Sequence, residues 1–278
     1  MTSGILKIAT CQFAVGADIR RNAEQIRGFV SEAAGEGAEI VHFPECALSG
    51  YAGIDWPHLK DFDWGQLVGE MRTVMDLVAR LKVWVVLGSM HRLTEPNQPH
   101  NCLYLIGPDG RIVNRYDKRF GTPMDLQHYT PGDRFVSFTV NGVTCSLLIC
   151  FDLRFPELYR QLWGLGVQCV LQSFYNARQN GPSVHTEIMR QTMQAHAATH
   201  HFWISMSNAS GWFSPYPSCF IQPDGRIVRQ LEDHLDQMMI NTVDLSQNFY
   251  DPMTEFRQAA LEGKLTNGPG PLDDPRSL

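Results

Sequence analysis

A layered α/β fold is predicted, a four-layer α-β-β-α sandwich with two pseudo-symmetric halves, and three observations predict it. Short continuous apolar runs such as IVHF (40–43) and VWVVLG (83–88) read as strands buried on both faces. Segments with apolar residues at helical spacing alternate with those runs. The hexapeptide PDGRIV stands at 108–113 and again at 223–228, at the same place in two successions of strand, helix, strand, helix, strand and hairpin. A matching element order around a matching turn is the mark of an internal duplication.

The first strand falls near residues 6–12. Asp18 is a plausible helix N-cap, with Ile19, Ala23, Ile26 and Val30 on one stripe behind it and Gly35 and Gly37 to end it. AEIVHF (38–43) is a buried strand, LVGEMRTVMDLVARL (67–81) an amphipathic helix and VWVVLGS (83–89) another buried strand. CLYLI and RIVNRY then flank the turn Gly107-Pro108-Asp109-Gly110, where proline presets φ and glycine tolerates a positive φ. The order returns after residue 141 as strand VTCSLLIC, helix PELYRQLWGL, strand VQCVLQSF, a helix from about Val184 to His200, strand FWISMS and a hairpin around Pro223. Each half sets helices beside strands, so each sheet still needs cover on its other face. Sheet packed on sheet with the helices outside supplies it; a doubly wound single sheet is the alternative. Residues 1–262 are read as one domain and 263–278, GKLTNGPGPLDDPRSL, as a Gly/Pro-rich C-terminal tail.

Composition narrows the function classes. The chain has 278 residues and a net charge of −6, without a run of lysines or arginines, which argues against nucleic acid as a partner. No stretch of about eighteen uninterrupted apolar residues occurs, so no membrane span is expected. The seven cysteines lack CxxC spacing and make no disulfide framework. With no basic region and apolar core of a signal peptide in MTSGILKIATCQF, a cytoplasmic location is expected.

Catalytic groups in layered α/β proteins collect where strands end. Three ionisable residues stand there: Glu45 after IVHFP, Lys118 after RIVNRYD, and Cys150 closing CSLLIC. A free thiol titrates near 8.5 and is only slightly ionised at neutral pH. A carboxylate can take its proton, and an ammonium favours both the thiolate and the oxyanion formed on an attacked carbon. The Phe151 backbone N–H is a candidate second oxyanion donor, and the helix opening near Pro156 would add positive potential if it pointed at the thiol. On the residues alone, Lys118 between Asp117 and Arg119 reads as a solvated hairpin charge.

FPECALSGY (43–51), RYDKRF (115–120) and LLICFDLRFPELYR (147–160), in this order and at compatible gaps, resemble the three catalytic motifs of the nitrilase superfamily, the carbon–nitrogen hydrolases. The likeness runs from about residue 5 to about 245. It implies an α-β-β-α sandwich, often paired into a homodimer or larger homo-oligomer, and a Glu-Lys-Cys triad carried here by Glu45, Lys118 and Cys150. It implies a cysteine thioester that releases ammonia or an amine from a small-molecule amide, without metal or organic cofactor. Many members carry a second glutamate before a PGD turn; HYTPGD (128–133) puts Asp125 at that place, one methylene shorter. Phe151 stands where amidase-like members often have tyrosine. CFDLRFPE is nearer the amidase-like CYDxRFPE pattern than the CWE of true nitrilases, so a linear amide is the expected substrate. An N-carbamoyl amidohydrolase or a nitrilase is the alternative, as is a catalytically weak member acting as a binding protein.

Further candidates surround this set. Tyr51, Tyr175, Asn176 and His185 are candidate pocket residues, with Glu187 beside them, and Arg178 a candidate clamp for a substrate carboxylate. Asp152, Arg154 and Glu157 are expected to form an ion-pair frame behind the thiol, and Cys46 to be a neighbour without a role. The remaining cysteines are read as packing; a redox pair would need a resolving thiol, and Cys145 should point to the opposite face from Cys150. His196, His200 and His201 have metal-like spacing, yet HxxxH without the intervening glutamate and without a third ligand argues against a metal.

Overall fold

The computed structural model describes residues 3–176 and 181–268. The first half runs β1 (Ile5–Gln12), α1 (Ile19–Gly35), β2 (Ile40–His42), α2 (Trp64–Leu81), β3 (Trp84–His91), β4 (His100–Ile106), β5 (Ile112–Asp117) and a short α3 (Asp125–His128). The second runs β6 (Ser137–Val140), β7 (Val143–Ile149), a 3-10 turn (Cys150–Arg154), α4 (Pro156–Gly164), β8 (Cys169–Phe174), α5 (Val184–His200), β9 (Trp203–Asn208), β10 (Cys219–Ile221), β11 (Ile227–Gln230), β12 (Gln237–Asp244) and α6 (Arg257–Leu261).

These strands make two six-stranded sheets, ordered β12-β1-β2-β3-β4-β5 and β11-β10-β9-β8-β7-β6. Each has a parallel centre, β1-β2-β3 in one and β7-β8-β9 in the other, with an antiparallel hairpin on one side. A single antiparallel strand closes the other side: β6 on β7, and β12 on β1 from Ile5↔Asp244 to Gln12↔Gln237. The chain is therefore two halves of one plan, and β12 returns from the second half to complete the first sheet. The doubly wound alternative is excluded by these two separate sheets.

Alternation along the strands builds the layers. Leu6 and Ile8 of β1 join residues of the second sheet in one core, while Ala9 and Cys11 turn the other way into a core with α1 and α2. The caps follow local chemistry: Asp18 accepts from the Arg21 amide, and Asp63 accepts from that of Gln66, starting α2 earlier than the apolar stripe suggests.

The repeated PDGRIV has a packing reason. Gly110 (φ +76°) and Gly225 (φ +85°) lie against helices α2 and α5, where an added Cβ would sit 2.5 Å from the Met75 carbonyl oxygen and 2.8 Å from that of Gln194. Asp109 and Asp224 accept from the Arg111 and Arg226 amides, each at 3.1 Å. Each hairpin thus leans its tip on the helix of its own half. Past α6, residues 262–268 have turns and no helix or strand; residues 269–278 lie outside the described ones.

A polar seam crosses the otherwise apolar space between the sheets. His42 hydrogen-bonds Ser205 Oγ through Nδ1 (2.8 Å) and Ser173 Oγ through Nε2 (2.9 Å). Thr10 reaches the same Ser205 hydroxyl at 2.7 Å, and Ser173 donates to the Phe43 carbonyl at 2.7 Å. The ring is fully enclosed, and burial holds its pKa down at about 3, so it is neutral.

Candidate active site

Glu45 sits just past β2, fully buried. Its amide donates to the Phe174 carbonyl at 3.2 Å, which ties the loop to the end of β8 in the other sheet. The loop also lies on β3, with the Leu48 amide donating to the Gly88 carbonyl at 2.9 Å. A Cβ on Gly88 would stand 2.1 Å from the Pro44 oxygen and 2.7 Å from the Cys46 nitrogen, so only glycine admits this approach. The carboxylate is divided in its contacts. Oε1 accepts from Lys118 Nζ at 2.8 Å and from Asn101 Nδ2 at 2.7 Å. Oε2, equally buried, has no hydrogen-bond partner among the described residues. Burial raises this carboxyl above its ordinary value, against the opposing pull of Lys118.

Lys118 follows β5, and its backbone is held on both sides. Its amide donates to the Asn101 carbonyl at 2.9 Å, and its carbonyl accepts from the Gly132 amide at 2.8 Å. Gly132 belongs to the PGD turn and presses on Asp117, where a Cβ would lie 2.4 Å from a carbonyl oxygen. The ammonium also donates to Asp125 at 2.9 Å and lies 3.4 Å from the Tyr51 hydroxyl. The reading of Lys118 as a solvated hairpin charge is overturned: the residue is 4% exposed. Burial alone would lower its pKa; the Glu45 and Asp125 carboxylates outweigh that and keep it charged.

The shorter side chain of Asp125 reaches Lys118 because α3 begins at this residue and carries it inward. Its carboxylate also accepts from the Tyr51 hydroxyl at 2.5 Å and the Thr122 amide at 2.9 Å. Burial would raise the Asp125 pKa, but Lys118, Tyr51 and Thr122 bring it below the ordinary value.

Strand β7 stops at Ile149, and Cys150 opens the 3-10 turn at φ +42°. That left-handed conformation costs an L-residue roughly 1–2 kcal/mol, and buried groups hold the turn in place. Asp152 accepts from the Ile149 amide (2.9 Å), the Phe120 amide (3.0 Å) and the Tyr116 hydroxyl (2.8 Å). Gln172 donates to the Cys150 carbonyl at 3.4 Å, and His196 Nε2 donates to that of Leu153 at 2.9 Å. The ion-pair frame expected of Asp152, Arg154 and Glu157 is therefore corrected to a hydrogen-bonded one around Asp152. Arg154 instead lies 3.5 Å from His185 Nδ1. The 3-10 turn also separates the thiol from α4, whose N-terminus is not the one that starts at the sulfur. Phe151 takes the first turn after Cys150, where a backbone N–H has no acceptor within the helix.

All seven cysteines are free, and Cys150 alone is not fully buried. Its sulfur lies 3.6 Å from Asn176 Nδ2. Burial, then the negative charge of Glu45, pushes the thiol well above its ordinary range despite Lys118. The resting sulfur is therefore protonated, as expected of a thiol that needs a base to take its proton.

The sequence model of the carbon-nitrogen hydrolase family matches residues 7–248. The chain belongs to this family. A hydrolase in the agr operon of Staphylococcus aureus is 28% identical over 249 residues, 87% of this chain and 91% of that protein. An (R)-stereoselective amidase of Pseudomonas sp is 27% identical over 261 residues, 91% of each. A mutant of an amidase from Nesterenkonia AN1, of the nitrilase superfamily, superposes with a TM-score of 0.75 at 21% identity, covering 95% of this chain and 97% of that one. That structural likeness carries the sandwich fold.

Around the reactive groups of this carbon–nitrogen hydrolase, Tyr51 and Tyr175 pack ring to ring at 4.9 Å, and Asp55 joins them by accepting from the Tyr51 amide (2.8 Å) and the Tyr175 hydroxyl (2.9 Å). Asn176 lies two residues past β8 beside Cys150, whereas His185 stands at the start of α5 next to Arg154. Glu187 lies in the first turn of α5. Arg178 lies outside the described residues.

Cys46 has contacts that its motif does not announce: its sulfur lies 3.6 Å from Asn101 Oδ1 and 3.7 Å from the Tyr129 hydroxyl. Cys145 is fully buried opposite Cys169 in the β7–β8 pair. His196 stacks on Tyr159 at 3.6 Å, and His200 Nδ1 donates to the His196 carbonyl at 3.1 Å. Among the described residues no group of three or more His, Cys, Asp or Glu is arranged to hold a metal ion. Asn101, Gln172, Tyr116 and Tyr216 were not legible as site residues. Each is an ordinary polar residue on a strand or in a loop, and only folding brings Asn101 to Glu45, Gln172 to Cys150, Tyr116 to Asp152 and Tyr216 to Asn176.

Proposed function

We propose that this carbon–nitrogen hydrolase cleaves a linear amide through a thioester on Cys150 and releases ammonia or an amine. Glu45 takes the Sγ proton as sulfur bonds to the carbonyl carbon and the carbonyl π pair moves onto oxygen. The Phe151 amide donates to that oxyanion, and Lys118 supplies positive charge beside it. Collapse breaks the carbon–nitrogen bond, and Glu45 returns the proton to the leaving nitrogen. Glu45 then deprotonates the water that hydrolyses the thioester, leaving a carboxylic acid and the free thiol.

The observation that carries this reading is the division of labour within the Glu45 carboxylate. Asn101 and Lys118 hold Oε1, so the group cannot rotate freely, and buried Oε2 keeps its lone pairs for a proton. A carboxylate serving only as the partner of Lys118 would have no need of that arrangement. The amidase relative supports the choice of substrate class.

Ammonia release from a panel of linear amides, carbamoyl compounds and nitriles tests the proposal, with Cys150→Ala as control. The expected result is release from one or more amides by the parent and none by the variant. Equal release by Cys150→Ala would remove the mechanism, and release from nitriles alone would replace the substrate class.

A further inference from the structure

We infer that Asn176 is a catalytic residue whose side-chain amide donates a hydrogen bond to the Cys150 sulfur and holds it as the thiolate during attack. This rests on Cys150 being the nucleophile, as proposed above. The question it answers is which groups are left to receive the charge that develops on sulfur.

Lys118 has three N–H bonds, and three acceptors surround it: Glu45 at 2.8 Å, Asp125 at 2.9 Å and the Tyr51 hydroxyl at 3.4 Å. It therefore offers the sulfur its charge, while its hydrogens point elsewhere. The side-chain donor that does meet Sγ comes from just past β8: Asn176 Nδ2, at 3.6 Å. A donor bonded to an ionised acceptor is roughly twice as strong as one bonded to a neutral acceptor, so this bond strengthens as the proton leaves.

Asn176 is built into place. Its backbone N–H donates to Asn208 Oδ1 at 3.1 Å. Asn208 Nδ2 in turn donates to the Tyr216 carbonyl at 2.8 Å and to Ser214 Oγ at 3.0 Å. One fully buried amide thus fixes both Asn176 and Tyr216, and the Asn176 side chain gives its second N–H to the Tyr216 hydroxyl. With that hydrogen committed, the other is aimed at sulfur. Asn176 itself is 7% exposed and Tyr216 1%, so solvent competes little for either bond.

Alkylation of Cys150 by iodoacetamide, followed against pH by mass spectrometry of the full chain, reads this role without any substrate. In that reaction the S–C bond forms, iodide leaves with the C–I electron pair, and the thiol proton passes to Glu45 or water. The parent is compared with Asn176→Ala and with Asn176→Asp, which keeps size and shape but presents an acceptor to the sulfur.

Near neutral pH the alkylation rate is expected to fall on the order of tenfold or more in Asn176→Ala. It should fall further in Asn176→Asp, with the rising limb moved to higher pH in both. Turnover should fall mainly in kcat. A packing role would lower the melting temperature and leave the limb in place. A folded Asn176→Asp whose curve overlays that of the parent overturns the inference, and it decides the matter if the alanine variant does not fold. Because alkylation at the iodinated carbon is read without any amide turnover, the result stands apart from the substrate screen. Turnover that survives Cys150→Ala would defeat the thioester mechanism and leave this measurement intact.

Discussion

Glu45, the proposed base, stands where an ionised carboxylate is costly. Burial raises its pKa above the ordinary 4.5 and Lys118 pulls it back only in part, so the base form is lost as pH falls through a midpoint above that value. The acid limb of kcat/KM is expected to lie above 4.5, measured as a pH–rate profile of the parent. Glu45→Gln keeps the shape and removes the base, and should cost on the order of 10²–10⁴-fold in kcat. An unchanged acid limb in that variant would assign the limb to another group. At this scale the motifs made Glu45, Lys118 and Cys150 legible as candidates, whereas Asn101 was hidden. Its importance lies in a 2.7 Å contact across 56 positions of sequence.

At the scale of elements, the loop carrying Glu45 depends on how closely it can lie on β3. Gly88→Ala would drive a methyl group into the Pro44–Cys46 backbone, whose atoms stand 2.1 to 3.0 Å from that carbon. Overpacking of this kind costs about 1–3 kcal/mol. The larger effect is expected on activity, since the backbone that must yield is that of Glu45. Thermal melting and kcat measured together check it; a variant with the parent's kcat and a lowered melting temperature would show the loop to be indifferent to β3. The helices were readable because caps and stripes are local. Strands β6 and β12 were not, since SFTV has one buried residue and QMMINTVD owes its pairing to a β1 more than 200 residues away.

The whole molecule is held across its middle by the seam through His42, and this gives stability a pH dependence. The ring titrates at about 3 when folded against 6.5 ordinarily, so between those values the unfolded chain binds a proton that the native chain refuses. The sign follows. Stability is unaffected by His42 above 6.5 and declines by several kcal/mol as pH falls toward 3. His200, held down to about 4 chiefly by burial, adds to the same window. Urea unfolding at a series of pH values should show this slope, and His42→Asn should flatten it while lowering stability at pH values above the window. A slope unchanged in that variant would remove His42 as its source.

By itself, the sequence determined the two-fold order of elements, the turns that repeat and the three motifs, because periodicity, capping and turn chemistry act between residues near one another along the chain. Tertiary structure alone decided that Lys118 is buried, that Asp125 reaches it despite its shorter side chain, and that the thiol's pKa is pushed up instead of down. Those outcomes depend on desolvation and on charges meeting from distant strand ends, and neither quantity exists until the two sheets close on each other.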